Sequence, residues 1–216
     1  MNFVFDFDST IIEGESLEMA ILSALENYPQ SESEKILTKI SAITNDGMNG
    51  KISPLESLKK RLDLVPINEN HIKKAALLCK EEIIEGMEKL ISKFQNKKVA
   101  IYIASGAPLK CIIPTAEKLK IKKENIRASN FVFENGKLQL ENLTKDKIDM
   151  VKSLNIKASE SVMIGDGFTD LEIWQKGLVK EFICFTECVE RKETVKKAKI
   201  IAKNITQLDK ILDSFL

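Results

Sequence analysis

The 216 residues include a single histidine, His71. A mechanism that needs a histidine nucleophile, or a metal centre that needs a histidine cluster, has almost nothing to draw on. His71 itself stands in a polar stretch, 68–74, and reads as a surface residue. Excess charge of either sign is also missing, since 33 Lys and Arg face 32 Asp and Glu and leave a net charge of +1. So balanced a chain gives no electrostatic case for nucleic acid or an anionic membrane as its main partner. No apolar run approaches the length of a membrane span. The first apolar strand begins at Phe3, so no signal peptide is expected ahead of it. Cys79, Cys111, Cys184 and Cys188 are scattered, and only the last two are close. Without a nearby histidine their C-x-x-x-C spacing is a poor metal pattern. Free thiols in a reducing cytoplasm are the expectation.

What is present fits a soluble globular protein, with 44% hydrophobic and 30% charged residues. The length allows one large domain, or one domain with a smaller insert. Phe3-Val4-Phe5 is a continuous apolar run leading straight into Asp6. Such a run predicts a strand buried on both faces. Helical spacing follows at Ser16–Asn27, ended by Pro29, and at Glu34–Ile43, ended by the breaker Asn45-Asp46-Gly47. Ser53-Pro54 has the form of an N-cap with proline in the first turn, and the helix it opens carries Arg61. Another helix is predicted from Glu69 to Ile84. Residues 12–84 thus form an all-helical insert after one strand.

Alternation of strand and helix resumes beyond it. Gly86–Phe94 is a predicted helix, and Val99–Ala104 a buried strand with Ser105-Gly106 at its end. Leu109–Leu119 is helical, with Pro114 expected to bend or interrupt it. Phe131–Leu140 has the pattern of a hairpin with an Asn-Gly turn. A helix at Lys145–Leu154, a strand at Val162–Ile164 and a helix from Leu171 come next. The strand Phe182–Phe185, a basic helix, the strand Ile200–Ala202 and a final helix complete the chain. This order predicts an α/β fold, a Rossmann-like doubly wound parallel sheet with an inserted helical cap. The expected core is 1–11 with 85–216, and the cap 12–84. The lysines at 192–199 read as a solvated helix face.

Three predicted strand ends carry polar groups: Asp6 and Asp8, Ser105, and Asp166 with Asp170. In a parallel sheet these ends share one edge, which is where open α/β folds bind ligands. A lone D-x-D could be turn chemistry or a helix cap. Carboxylates gathered with a serine and with Lys145 or Lys147 suit a more specific task. A divalent cation sits among carboxylates. A carboxylate attacks phosphorus. A serine hydroxyl, backbone N–H groups and a lysine hold the phosphoryl oxygens, and a second acid handles the proton of the leaving alcohol.

On Asp6-Phe7-Asp8-Ser9-Thr10, Ser105-Gly106, Lys145 and Gly165-Asp166-Gly167-Phe168-Thr169-Asp170, the chain resembles the haloacid dehalogenase-like superfamily. The resemblance implies Asp6 as nucleophile, Asp8 as general acid and base, and Ser105 and Lys145 as phosphate-holding catalytic groups. It implies Mg²⁺ bound by Asp6, the Asp8 backbone carbonyl and Asp166, with Asp170 orienting the metal site or the lysine. An aspartate at position 8 suits ester hydrolysis. Within the superfamily the insert is similar to that of the phosphoserine phosphatases, on Glu15 and on Met48–Arg61. That similarity implies a small phosphate ester as substrate, with Glu15 for an ammonium, Arg61 for a carboxylate, and Ser105 and Gly106 for the phosphate. Taken alone, Glu15 could be an acid favoured by a helix dipole and Arg61 a surface charge. Ala107 after Gly106, Pro54 in the insert and Thr169 before Asp170 depart from the family pattern. Phosphoethanolamine, a sugar phosphate, phosphotransfer, or a metabolite-binding module without catalysis are the alternatives.

Overall fold

The structure, a computed structural model, describes residues 1–48, 51–134, 137–140 and 146–216. Strand β1 (Asn2–Phe5) leads into helices α1 (Ser16–Leu25), α2 (Gln30–Met48), α3 (Pro54–Leu64) and α4 (Glu69–Glu81). Helix α5 (Met87–Asn96), strand β2 (Ala100–Pro108), helix α6 (Leu109–Lys118) and strand β3 (Ile126–Ser129) follow. Next come strands β4 (Phe131–Glu134) and β5 (Lys137–Leu140), then helix α7 (Lys147–Lys152), strand β6 (Ser161–Gly165) and helix α8 (Phe168–Gln175). The chain closes with strand β7 (Glu181–Phe185), helix α9 (Lys192–Val195), strand β8 (Ile200–Ala202) and helix α10 (Ile205–Asp213).

Six strands form one sheet in the order β3-β2-β1-β6-β7-β8, and every pairing in it is parallel. The chain builds outward from β1 in one direction, then returns to β1 and builds in the other. The reversal falls between β1 and β6, where Phe5 pairs with Ile164. A crevice opens at such a switch point because the two crossovers leave on opposite faces. Both faces of the sheet are covered. Phe3 and Phe5 pack with Ile101, Ile103, Val162 and Ile164 on one side. Val4 packs with Met163, Phe182 and Leu171 on the other. That double burial is why β1 has no polar alternation. Phe3 also meets Phe94 of α5 edge to face, with centroids 5.1 Å apart.

The two ends of the helical insert are tied to each other by paired backbone. Ile12 bridges Ile83 antiparallel, Ile84 N–H donates to Ile11 O, and Glu13 N–H donates to Glu82 O. Helix α4 packs against both α1 and α6, whereas α2 and α3 pack mainly on each other. Ser53 caps α3, accepting from Glu56 N–H at 3.1 Å.

The structure corrects four local expectations. Helix α2 runs through Asn45-Asp46-Gly47 instead of stopping there. A helical glycine costs only about 1 kcal/mol relative to alanine. Lys51 then ties the end of the helix, its Nζ 2.8 Å from the Asp46 carboxylate and its N–H bonded to Asp46 O. Pro114 leaves α6 unbroken. Strand β2 continues past Ser105 to Pro108, with a register shift between those residues that lets Pro108 pair with Ser129. Strand β3 was not expected at all. The Phe131–Leu140 hairpin was, and it forms a separate two-stranded sheet whose Asn135-Gly136 turn lies outside the described residues. No helix among the described residues is long and apolar enough to cross a membrane.

Candidate active site

The carboxyl ends of β1 and β6 bring Asp6 and Asp166 together, each one residue beyond its strand. Asp6 N–H donates to Ile164 O at 2.8 Å, so the β1–β6 ladder continues to Asp6 itself. Asp6 Oδ1 accepts from Phe7 N–H at 2.7 Å. Asp170 arrives from the first turn of α8, where its Oδ2 accepts from Gly167 N–H at 3.1 Å. Oxygen atoms of Asp6, Asp166 and Asp170 all lie within 4.8 Å of one another, and all three residues are buried. Gly165 makes this approach possible. A Cβ there would sit 2.3 Å from Asp170 Oδ2, a distance no side chain tolerates.

Lys147 is one cation among these acids. Its Nζ lies 2.8 Å from Asp6 Oδ2 and 2.7 Å from Asp170 Oδ1. Asp146 caps the helix that carries it, accepting from Asp149 N–H. Burial works against the lysine's charge, but Asp170 and Asp6 more than offset it and hold Lys147 above the ordinary lysine range. Lys145, the other expected lysine, lies outside the described residues. Removing the cation would leave two buried carboxylates facing each other. Lys147→Met is expected to lower stability by about 3–5 kcal/mol, as for a buried pair stripped of one partner. Urea unfolding measures this, and a loss below about 1 kcal/mol would show the pair to be energetically unimportant.

Asp8 does not join the acidic cluster with its carboxylate. Its Oδ1 accepts from Ser16 N–H at 2.9 Å, and its Oδ2 lies 3.1 Å from Ser16 Oγ at the start of α1. Burial, then the charges of Glu15 and Asp6, push the Asp8 carboxyl well above the usual range, although the Ser16 N–H pulls the other way. Ser105 is buried beyond Ile103, which pairs with Phe5, so it shares the sheet edge with Asp6. Its Oγ accepts from Ala107 N–H at 3.2 Å. Gly106 is exposed, with open space beside its Cα.

Glu15 stands at the N-cap of α1, and its Oε1 accepts from Ser9 Oγ at 3.2 Å. Arg61 on α3 is partly buried, and its Nε donates to Ser57 O at 3.4 Å. Burial lowers its proton affinity, while the charges of Glu15 and Glu18 act to raise it. The helical insert therefore brings Arg61 within electrostatic range of Glu15.

One site residue escaped the sequence reading. Arg191 precedes α9 and donates its Nε to Asp166 Oδ2 at 2.5 Å, while its Nη2 lies 3.4 Å from Glu15 Oε1. Burial, countered by Arg191 and reinforced by Asp6, holds Asp166 above its ordinary range. The available signal was composition. Arg191 is one of only three arginines, with Arg61 and Arg127, among 33 basic residues. Its position beside the run of lysines disguised it as surface charge.

This donor set suits a hard divalent ion. It offers buried oxygen ligands only, and Lys147 and Arg191 together leave the three carboxylates undercompensated. Comparison with known proteins places the chain in a family. Residues 1–174 match the family described as haloacid dehalogenase-like hydrolase. A phosphoserine phosphatase of Campylobacter jejuni subsp. doylei is 27% identical, over 92% of this chain and 98% of its own. That of Methanocaldococcus jannaschii is 25% identical, over 89% of each. The crystal structure of a phosphoserine phosphohydrolase-like protein from Francisella tularensis superposes with a TM-score of 0.85 at 34% identity, covering 98% of this chain and 99% of that one. A phosphoserine phosphatase solved as a phospho-aspartyl intermediate analogue shares the fold, with a TM-score of 0.75 at 23% identity and coverage of 98% and 97%.

Proposed function

Because the chain belongs to the haloacid dehalogenase-like hydrolases, we propose that it hydrolyses O-phospho-L-serine to L-serine and phosphate through an aspartyl-phosphate on Asp6, with Mg²⁺ as cofactor. The family and its relatives support a phosphoric monoester hydrolase. The observation that carries the mechanism is the meeting of Asp6, Asp166, Asp170 and Lys147 at one sheet edge.

In this reading an Asp6 carboxylate oxygen attacks phosphorus, and the ester P–O bond breaks. Lys147, ion-paired with Asp6, meets the phosphoryl oxygens as charge shifts onto them. Ser105 Oγ and the Gly106 N–H are further donors to those oxygens. Asp8, which keeps its proton to higher pH than an ordinary carboxylic acid, gives it to the departing alkoxide. It then takes a proton from the water that releases phosphate from Asp6. A divalent ion held by Asp6, Asp166 and the Asp8 carbonyl, with Asp170 beside them, would neutralise the charge gathered there.

The substrate's other end is read by residues 12–84 as a cap over the core of 1–11 and 85–216. Glu15 suits an ammonium and Arg61 a carboxylate, which a planar guanidinium can bind by two parallel hydrogen bonds. Closure of this cap would exclude water from the crevice. All four cysteines are free thiols, in keeping with the cytoplasmic location we assign.

Phosphate release from phosphoserine and phosphoethanolamine tests this assignment. Phosphoethanolamine lacks the carboxylate. Arg61→Ala is expected to cost about 2–4 kcal/mol in kcat/KM for phosphoserine, as for a lost charge-assisted pair, and little for phosphoethanolamine. Equal losses on both substrates, or wild-type preference for phosphoethanolamine, would remove phosphoserine as the substrate.

A further inference from the structure

Arg191 has no part in the mechanism above, yet it engages two of the site's carboxylates at once. Its Nε bonds Asp166, and its Nη2 reaches Glu15. The bond to Asp166 falls on a carboxylate of the acidic cluster proposed to hold the divalent ion. We infer that Arg191 is a resident cation of the site, competing with the divalent ion for Asp166 and so setting its affinity.

Three features of the structure carry this. The first is charge. With every group ionised, Asp6, Asp166, Asp170 and Glu15 contribute −4, while Lys147 and Arg191 contribute +2, leaving −2. Without Arg191 the same groups leave −3, a better host for a doubly charged ion. The second is geometry. The guanidinium meets Asp166 at hydrogen-bond distance, inside a cluster whose oxygens span only 4.8 Å. An ion bound by this cluster lies close to a positive group in a buried setting, where like charges repel strongly.

The third is the existence of a second anchor. Glu15 already meets the same guanidinium through Nη2, with Ser9 Oγ on its Oε1. Arg191 can therefore leave Asp166 without losing all of its compensation. Its side chain is 24% exposed, and it stands at the N-cap of a four-residue helix. Lys147 differs. It is wedged between Asp6 and Asp170 with 9% of its side chain exposed, and it has nowhere else to go.

This inference rests on reading the three aspartates as a cation site, and the experiment separates the two. Mg²⁺ is titrated calorimetrically into the metal-free, full-length protein with no substrate present. Wild type, Arg191→Gln, Arg191→Lys and Asp166→Asn are compared. Arg191→Gln is expected to bind Mg²⁺ about tenfold more tightly than wild type, because the free carboxylate no longer has to be won from the guanidinium. Arg191→Lys, with one ammonium that cannot fork across both acids, is expected to fall between them, and it stands in should the glutamine variant fail to fold. Weaker or unchanged Mg²⁺ binding in both variants would overturn competition and make Arg191 a brace that orients Asp166. If Asp166→Asn binds Mg²⁺ as wild type does, the cation site itself has been misassigned.

Discussion

Asp6→Asn is expected to abolish phosphate release from phosphoserine, with kcat lowered by about 10⁴-fold or more, the scale seen when an essential nucleophile is removed. The amide has nearly the shape of the carboxylate. Phe7 N–H can still reach Oδ1 at about the present geometry, and β1 remains buried on both faces. The loss should therefore be chemical, with the thermal transition little changed. An amide oxygen is a poor nucleophile, and Lys147 keeps Asp170 as its charged partner. Rapid acid quenching followed by intact-mass measurement should find a phosphoryl adduct on wild type and none on the variant. A variant that kept more than about a hundredth of the activity would show that phosphorus is attacked by something else, such as water.

The second large effect concerns Asp8 and depends on the leaving group. Serine leaves as an alkoxide and needs a proton, whereas p-nitrophenolate does not. Asp8→Asn is expected to slow phosphoserine hydrolysis by about 10²–10⁴-fold, the usual range for a lost general acid. With p-nitrophenyl phosphate the first step should survive. The variant also lacks the base for the second step, so a stoichiometric burst of p-nitrophenolate should precede slow turnover. The raised proton affinity of Asp8, caused by burial and by the charges of Glu15 and Asp6, is what equips it for this role. Equal slowing of both substrates with no burst would instead make Asp8 a structural brace for α1 through Ser16, with which its side chain bonds now.

Both predictions concern residues that the amino-acid order alone makes legible. Phe3-Val4-Phe5-Asp6 is a buried strand ending in a carboxylate, and nothing in its neighbourhood competes with that reading. The same holds for Val162-Met163-Ile164 before Asp166. Strand β3 was illegible because Ile126-Arg127-Ala128-Ser129 has no apolar run. It is an edge strand, bonded in the sheet only to β2, and its extended form comes from that ladder rather than from its own side chains. Helix α2 failed as a prediction for the opposite reason. Its Asn-Asp-Gly stretch favours a turn locally, and the Asp46–Lys51 contacts fall only where the helix has already passed it.

By itself, then, the amino-acid order determined the buried strands, the carboxylates that end two of them, and the helical insert between the first strand and the rest. These are local properties, written in runs of a few residues by hydrophobic burial and backbone preference. Only the tertiary structure decided which groups share the crevice. It brought Lys147 onto Asp170 across 23 residues, Arg191 onto Asp166 across 25 and onto Glu15 across 176. It also drew Asp170 into the cluster over a glycine that has no room for a Cβ. Charges pair through space, at distances set by how the sheet is wound, and no local pattern of residues records that distance.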